Sequence, residues 1–174
     1  GLGTPFPQTA GIYAQLDGTD NYIEFDNANA DILDFTGGKK WAVGFKCNGV
    51  SGVVDYVATT LFRRGDNEIT LKRGGSNWGL YVYCGGASVG QANTWYAPTA
   101  NSTILIVSTE THLKYYLDGV RRVNIAWQGA VHLNHQDPTG DLQIGNSEHY
   151  ANWFGGVNNL MIMEGSASDL GKDQ

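Results

Sequence analysis

The sequence predicts an all-β fold, two antiparallel sheets packed as a β-sandwich, and three observations carry that expectation. The first is composition: 24 glycines and 11% aromatic residues accompany only 16% charged residues in a chain of 174. That is the balance of a many-turned β protein and not of a helical one. The second is alternation of apolar and polar residues at period two, which marks strands with one face buried. The third is spacing: about ten such runs follow one another, each short and bounded by Gly, Asn or Asp, as in a two-sheet sandwich. A chain of this length makes one domain and buries a sizeable core without a metal or disulfide to hold it.

The elements follow in order. Residues 1–15, with Pro5 and Pro7, are expected as an extended arm, and residues 16–174 as the sandwich domain. Residues 21–25 alternate as a first strand. Trp41, Val43, Phe45 and Cys47 share one face of the next, with Lys40, Ala42, Gly44 and Lys46 on the other. Residues 60–64 and 68–72 flank a turn at Gly65-Asp66-Asn67. Trp78, Leu80, Val82 and Cys84 line one face of a further strand, with Tyr81 and Tyr83 behind it. Residues 102–108, 113–117, 121–127, 140–144 and 156–163 complete the series. Asp118-Gly119 suits the type I′ turn of a tight hairpin, because both central residues tolerate positive φ. Short helical turns are expected only at 28–35 and 166–172. Trp41, Phe45, Trp78 and Trp95 are the expected core aromatics.

Charge narrows the partners. Eleven basic residues stand against 17 acidic ones, a net charge of −6 and a pI near 5.0. Nucleic acids and anionic membrane surfaces call for a basic face, so neither is expected as a partner. No apolar run approaches the ~20 residues of a membrane-spanning helix. Cys47 and Cys84 continue apolar faces and point inward, as one disulfide or, by preference, two buried thiols; no Cys-x-x-Cys pair is present. The chain opens at Gly1 with no Met and no basic-then-apolar leader, which fits a processed or trimmed start.

Catalytic constellations are sparse. No Gly-x-Ser-x-Gly and no phosphate-binding Gly-x4-Gly-Lys occurs. His132 and His135 lie three apart, on opposite sides of an extended chain, so with His149 they read as solvated loop residues and not as zinc ligands.

Several segments resemble one family. Leu16-Asp17-Gly18-Thr19-Asp20-Asn21-Tyr22-Ile23-Glu24-Phe25 is similar to the opening strand of laminin-G-like jelly-roll domains, within the concanavalin A-like lectin and glucanase group. Ala92-Asn93-Thr94-Trp95-Tyr96 with Leu113-Lys114-Tyr115-Tyr116-Leu117-Asp118-Gly119 resembles their central stretch. Asp141-Leu142-Gln143-Ile144-Gly145-Asn146 with Phe154-Gly155-Gly156-Val157 resembles their closing one. Order and spacing agree from about residue 12 to residue 170. The glucanases of this group hydrolyse with paired carboxylates alternating on one strand. Glu24-Phe25-Asp26 is half of that pattern, and the third acid is missing, so no enzymatic activity is expected.

A narrower resemblance concerns Leu61-Phe62-Arg63-Arg64-Gly65-Asp66-Asn67-Glu68-Ile69, which is similar to the pentraxin segment whose Asp-Asn pair holds calcium. It implies calcium at Asp66, Asn67 and Glu148, since calcium collects carboxylate, amide and backbone oxygens. The same pair equally shapes a turn, because Asp and Asn bond their own backbone there. Sugar rings present apolar C–H faces that flat aromatics flanked by amides can hold. Trp127, Tyr150 and Trp153, with Asn152, have that content at strand ends and in the loop after Gly145. The expectation is a non-catalytic module, extracellular or on a particle surface, recognising a glycan or a protein. The alternative is a structural subunit, for example of a virus particle, that docks on a neighbour or forms a homo-oligomer through residues 1–15.

Overall fold

The computed structural model of the chain describes residues 14–25, 32–34, 39–48, 58–74, 77–84, 87–94, 98, 100–109, 111–126, 140–147 and 151–164. Their strands are β1 (Ala14–Asp17), β2 (Ile23–Phe25), β3 (Trp41–Asn48), β4 (Ala58–Arg64), β5 (Asn67–Gly74), β6 (Asn77–Cys84), β7 (Ala87–Thr94), β8 (Ala100–Ser108), β9 (His112–Leu117), β10 (Val120–Ala126), β11 (Leu142–Ile144) and β12 (Phe154–Glu164). They form two six-stranded sheets, the first in the order β1-β12-β3-β8-β9-β10 and the second in the order β2-β11-β4-β5-β6-β7. Every pairing between named strands is antiparallel.

Each alternating run of the sequence is a strand. Two strands carried no such signal. β1 is four residues long with Leu16 its one core residue, and β7 (Ala-Ser-Val-Gly-Gln-Ala-Asn-Thr) has almost no apolar periodicity. Both are edge strands, where pairing to one neighbour through the backbone suffices and side chains need not alternate. β1 begins at Ala14, two residues inside the expected arm, because Ala14 and Gln15 pair with Val157 and Gly156. The rest of the arm lies outside the described residues. So does the 166–172 turn; of 28–35, Ile32 to Asp34 are described, with Leu33 in a turn at φ 59°.

The core lies between the sheets. Trp41, Val43, Phe45 and Cys47 of β3 meet Ile104, Ile106, Leu113, Tyr115 and Leu117 in the first sheet, facing Phe62, Ile69, Leu71, Leu80, Val82 and Ile144 of the second. Trp41 and Phe45 are buried as expected; the side chains of Trp78 and Trp95 lie outside the described set. Phe45 stands edge-on to Phe62, 5.6 Å between centroids, which links the two sheets. Cys47 is buried and forms no disulfide. Burial pushes the Tyr115 phenol above its usual range, with Cys47 and Asp118 adding to the rise and Arg122 opposing it.

Turn chemistry fixes the ends. Asp118 and Gly119 take φ 53° and 77°, both positive as a type I′ hairpin requires. The Asp118 carboxylate accepts from the Thr103 amide at 2.8 Å and the Ser102 hydroxyl at 3.2 Å, tying the β9–β10 hairpin to β8. Arg64 pairs with Asn67, so the β4–β5 loop is Gly65-Asp66 alone and Asn67 already opens β5.

Candidate functional site

Register and alternation define the outer face of the second sheet. Ile69 and Leu71 of β5, and Leu80 and Val82 of β6, enter the core. Their neighbours Glu68, Thr70, Lys72, Gly79, Tyr81 and Tyr83 therefore lie on the other side. Across the strands, Glu24, Gln143, Arg63, Glu68 and Tyr83 form one row; Thr60, Thr70 and Tyr81 form the next; Lys72 pairs with Gly79 in the third.

The carboxylates of this face are internally bonded. Glu68 has no exposed surface, yet its Oε2 accepts from the Thr60 hydroxyl at 2.8 Å and the Ser147 hydroxyl at 3.0 Å, while Arg63 Nε lies 3.9 Å from Oε1. A buried carboxylate needs such partners, because desolvation without them costs several kcal/mol. Glu24 accepts from Gln143 Nε2 at 2.6 Å, and Gln143 Oε1 in turn accepts from Asn146 at 2.8 Å.

The segment after β11 folds over part of this face. Gly145 donates to the Leu61 carbonyl at 3.1 Å, and Thr60 donates to the Ala151 carbonyl at 3.0 Å. Ser147 drops its hydroxyl onto Glu68 between these points. Gly145 sits at φ 84°, and a Cβ on it would fall 2.5 Å from Leu16, so glycine is required on both counts. Asn152 braces the segment: its Oδ1 accepts from the Ser147 amide at 2.8 Å and its Nδ2 donates to the Thr19 carbonyl at 2.6 Å. Thr19 is held by Asp17, whose Oδ1 accepts from the Thr19 amide at 2.9 Å and the Asp20 amide at 3.3 Å. The Thr19 bond is the main reason the Asp17 carboxyl lies below its usual range.

Beyond that segment the face is aromatic. Tyr81 and Tyr83 stack at 6.3 Å with 16° between ring planes, both half-buried. The Tyr81 ring lies against Gly79, where any Cβ would come within 2.7 Å of it. Lys72 Nζ stands 5.7 Å from the Tyr81 centroid.

The structure redistributes the expected site residues. Trp153 is corrected: its exposure is 0%, its ring stands edge-on to Phe45 at 5.7 Å, and its amide donates to the Gly145 carbonyl at 2.9 Å. A ring buried in the core offers no face to a sugar. Asn152 lies on the expected loop but spends its amide on bracing. Trp127, Tyr150 and Glu148 lie outside the described residues. Asp66 is exposed at the turn tip, whereas Asn67 is buried and donates to the Leu33 carbonyl at 2.8 Å, holding the 32–34 turn. One exposed carboxylate beside a committed amide does not by itself make a calcium site, and no cluster of three or more His, Cys, Asp or Glu suited to a metal occurs among the described residues. Of the paired arginines, Arg64 is buried and donates to the Ile32 and Gly140 carbonyls at 3.2 and 3.1 Å. Tyr81, Tyr83 and Lys72 were not singled out from sequence. The signal was present: the two tyrosines alternate with core residues on one strand and so fall on its non-core side.

No family model matches the chain, and no curated protein matches its sequence. Solved structures do match. A mutant of the NanB sialidase from Streptococcus pneumoniae is similar at 14% identity over 93% of this chain and 27% of that one, with a TM-score of 0.59. The CBM40 of a Ruminococcus gnavus IT-sialidase, in a structure bound to α2,3 sialyllactose, is similar at 10% identity over 91% and 93% of the two chains, with a TM-score of 0.57. A native heptameric SAP-like pentraxin from Limulus polyphemus is similar at 11% identity over 85% and 73%, with a TM-score of 0.57. The class is thereby defined: the chain has the concanavalin A-like jelly-roll fold. No helix among the described residues is long and apolar enough to cross a membrane.

Proposed function

We propose that the chain is a non-catalytic carbohydrate-binding module whose binding face is the outer side of the second sheet. The observation that carries this reading is the stacked pair Tyr81 and Tyr83 beside Lys72, half-buried on a sheet face whose carboxylates are already bonded. Flat aromatics bind the C–H faces of sugars. The fold shared with a CBM40 seen with sialyllactose supports the reading by analogy. Glu24, the acid nearest a glucanase pattern, is engaged by Gln143, which supports binding over hydrolysis. A surface location, outside a cell or on a particle, suits such a module.

The test is a glycan array followed by calorimetry on the best glycan. Tyr81→Ala and Tyr83→Ala are each expected to weaken binding about tenfold or more, with the melting temperature nearly unchanged. Full affinity in both variants would overturn the assignment of this face. Calcium at Asp66 and Glu148 stays a separate proposal, decided by melting in calcium against EGTA: a rise that Asp66→Ala removes supports it, and an unchanged temperature retires it. The arm-docked structural reading rests on residues 1–15, of which 1–13 lie outside the described residues and 14 and 15 belong to β1.

A further inference from the structure

We infer that this face selects glycans carrying an anionic group, a carboxylate or a sulfate, and that Lys72 is the residue that reads it. The inference rests on the glycan-binding reading above and adds the ligand's charge to it.

The ionisable groups on the outer side of the second sheet differ in how they are partnered. Glu68 is saturated by Thr60, Ser147 and Arg63, and Glu24 is engaged by Gln143. Arg63 is turned to the Gly65 carbonyl, 3.0 Å from Nε, as well as to Glu68. Arg63 and Glu68 thus answer one another, and Glu24 is held by an amide. Lys72 differs. Its cross-strand partners are Ala58 and Gly79, neither of which ionises, and Thr70 precedes it on the same face of β5. Among the described residues no carboxylate lies within ion-pair distance of its ammonium, whose one recorded neighbour is the Tyr81 ring.

A neutral aromatic surface would bind any sugar with an apolar face. Placing an ammonium at the rim of that surface changes what fits best. A pyranose stacked on the tyrosines with an anionic substituent toward Lys72 gains a charge-assisted hydrogen bond, roughly twice as strong as a neutral one. The cation–π contact holds the lysine at the ring without neutralising it. The overall charge of −6 makes local selection by one lysine the relevant effect, since the field of the whole chain repels anions.

The experiment uses the full chain, its Lys72→Met and Lys72→Arg variants, and an array of carboxylated, sulfated and neutral glycans. Wild-type protein is expected to bind anionic glycans, with affinity falling as salt is raised. Lys72→Met is expected to weaken these about tenfold at an unchanged melting temperature, and Lys72→Arg to restore much of the loss. Carboxyl-reduced and desulfated forms of each bound glycan then tell which anion is read. Neutral glycans bound as well as anionic ones, or equal binding by wild type and Lys72→Met, would overturn the inference and leave the glycan reading standing. An array with no binding at all would overturn both. If Lys72→Met unfolds, the wild-type comparison of each glycan with its neutralised form decides the question alone.

Discussion

Trp153 shows how one residue type serves opposite ends. A tryptophan in a loop rich in Asn, Ser and Tyr has the content of a sugar platform, yet the chain uses it as a core residue against Phe45. The deciding contacts are backbone ones: Gly145 and Trp153 are bonded to each other, which turns the ring inward at the point where β12 begins. Its indole N–H has no partner among the described residues, so packing holds it. Trp153→Ala is therefore expected to lower stability by about 3–5 kcal/mol, read by urea unfolding, with glycan affinity of the folded fraction retained. A stable variant that loses binding would place the ring in the site after all. Tyr81 and Tyr83 are the reverse case. Alternation put them opposite the core, and a side chain that leaves the core with a large flat surface is a better lead to a site than one that merely sits in a loop.

At the scale of elements, alternation located the other strands and missed β1 and β7, two edge strands whose sequences carry little pattern. The Asp118-Gly119 hairpin was legible because its requirement is local: two successive positive φ values. What the dipeptide did not reveal is that the Asp118 carboxylate also fastens β8 through Thr103 and Ser102. Asp118→Ala is expected to cost about 1–2 kcal/mol, losing both the tolerated φ and the two acceptor bonds. Asp118→Asn keeps the φ tolerance and one amide oxygen and is expected to cost less. Equal losses in the two variants, by chemical denaturation, would show that the turn geometry alone matters. The β4–β5 turn gives the complementary lesson. Asp66-Asn67 reads as a pair of like residues, yet Asp66 is exposed at the tip and Asn67 is buried on Leu33, because one residue of register separates loop from strand.

For the whole molecule, composition and period-two alternation determined by themselves that the chain is a β-sandwich, and the order of its motifs pointed to the concanavalin A-like fold that the solved structures bear out. Those properties are local or additive, so they survive in a one-dimensional string. The outer face of the second sheet does not. Lys72 and Tyr81 meet across the β5–β6 hairpin, but Glu24 lies far from them in sequence and shares their surface only because the sheet order β2-β11-β4-β5-β6-β7 sets β11 between β2 and β4. The seating of Ser147 on Glu68 likewise follows from a contact between residues 79 positions apart. Which carboxylates are bonded, and which lysine is left facing an aromatic pair, was decided by tertiary structure alone, because charge compensation depends on distance in space and not on distance along the chain.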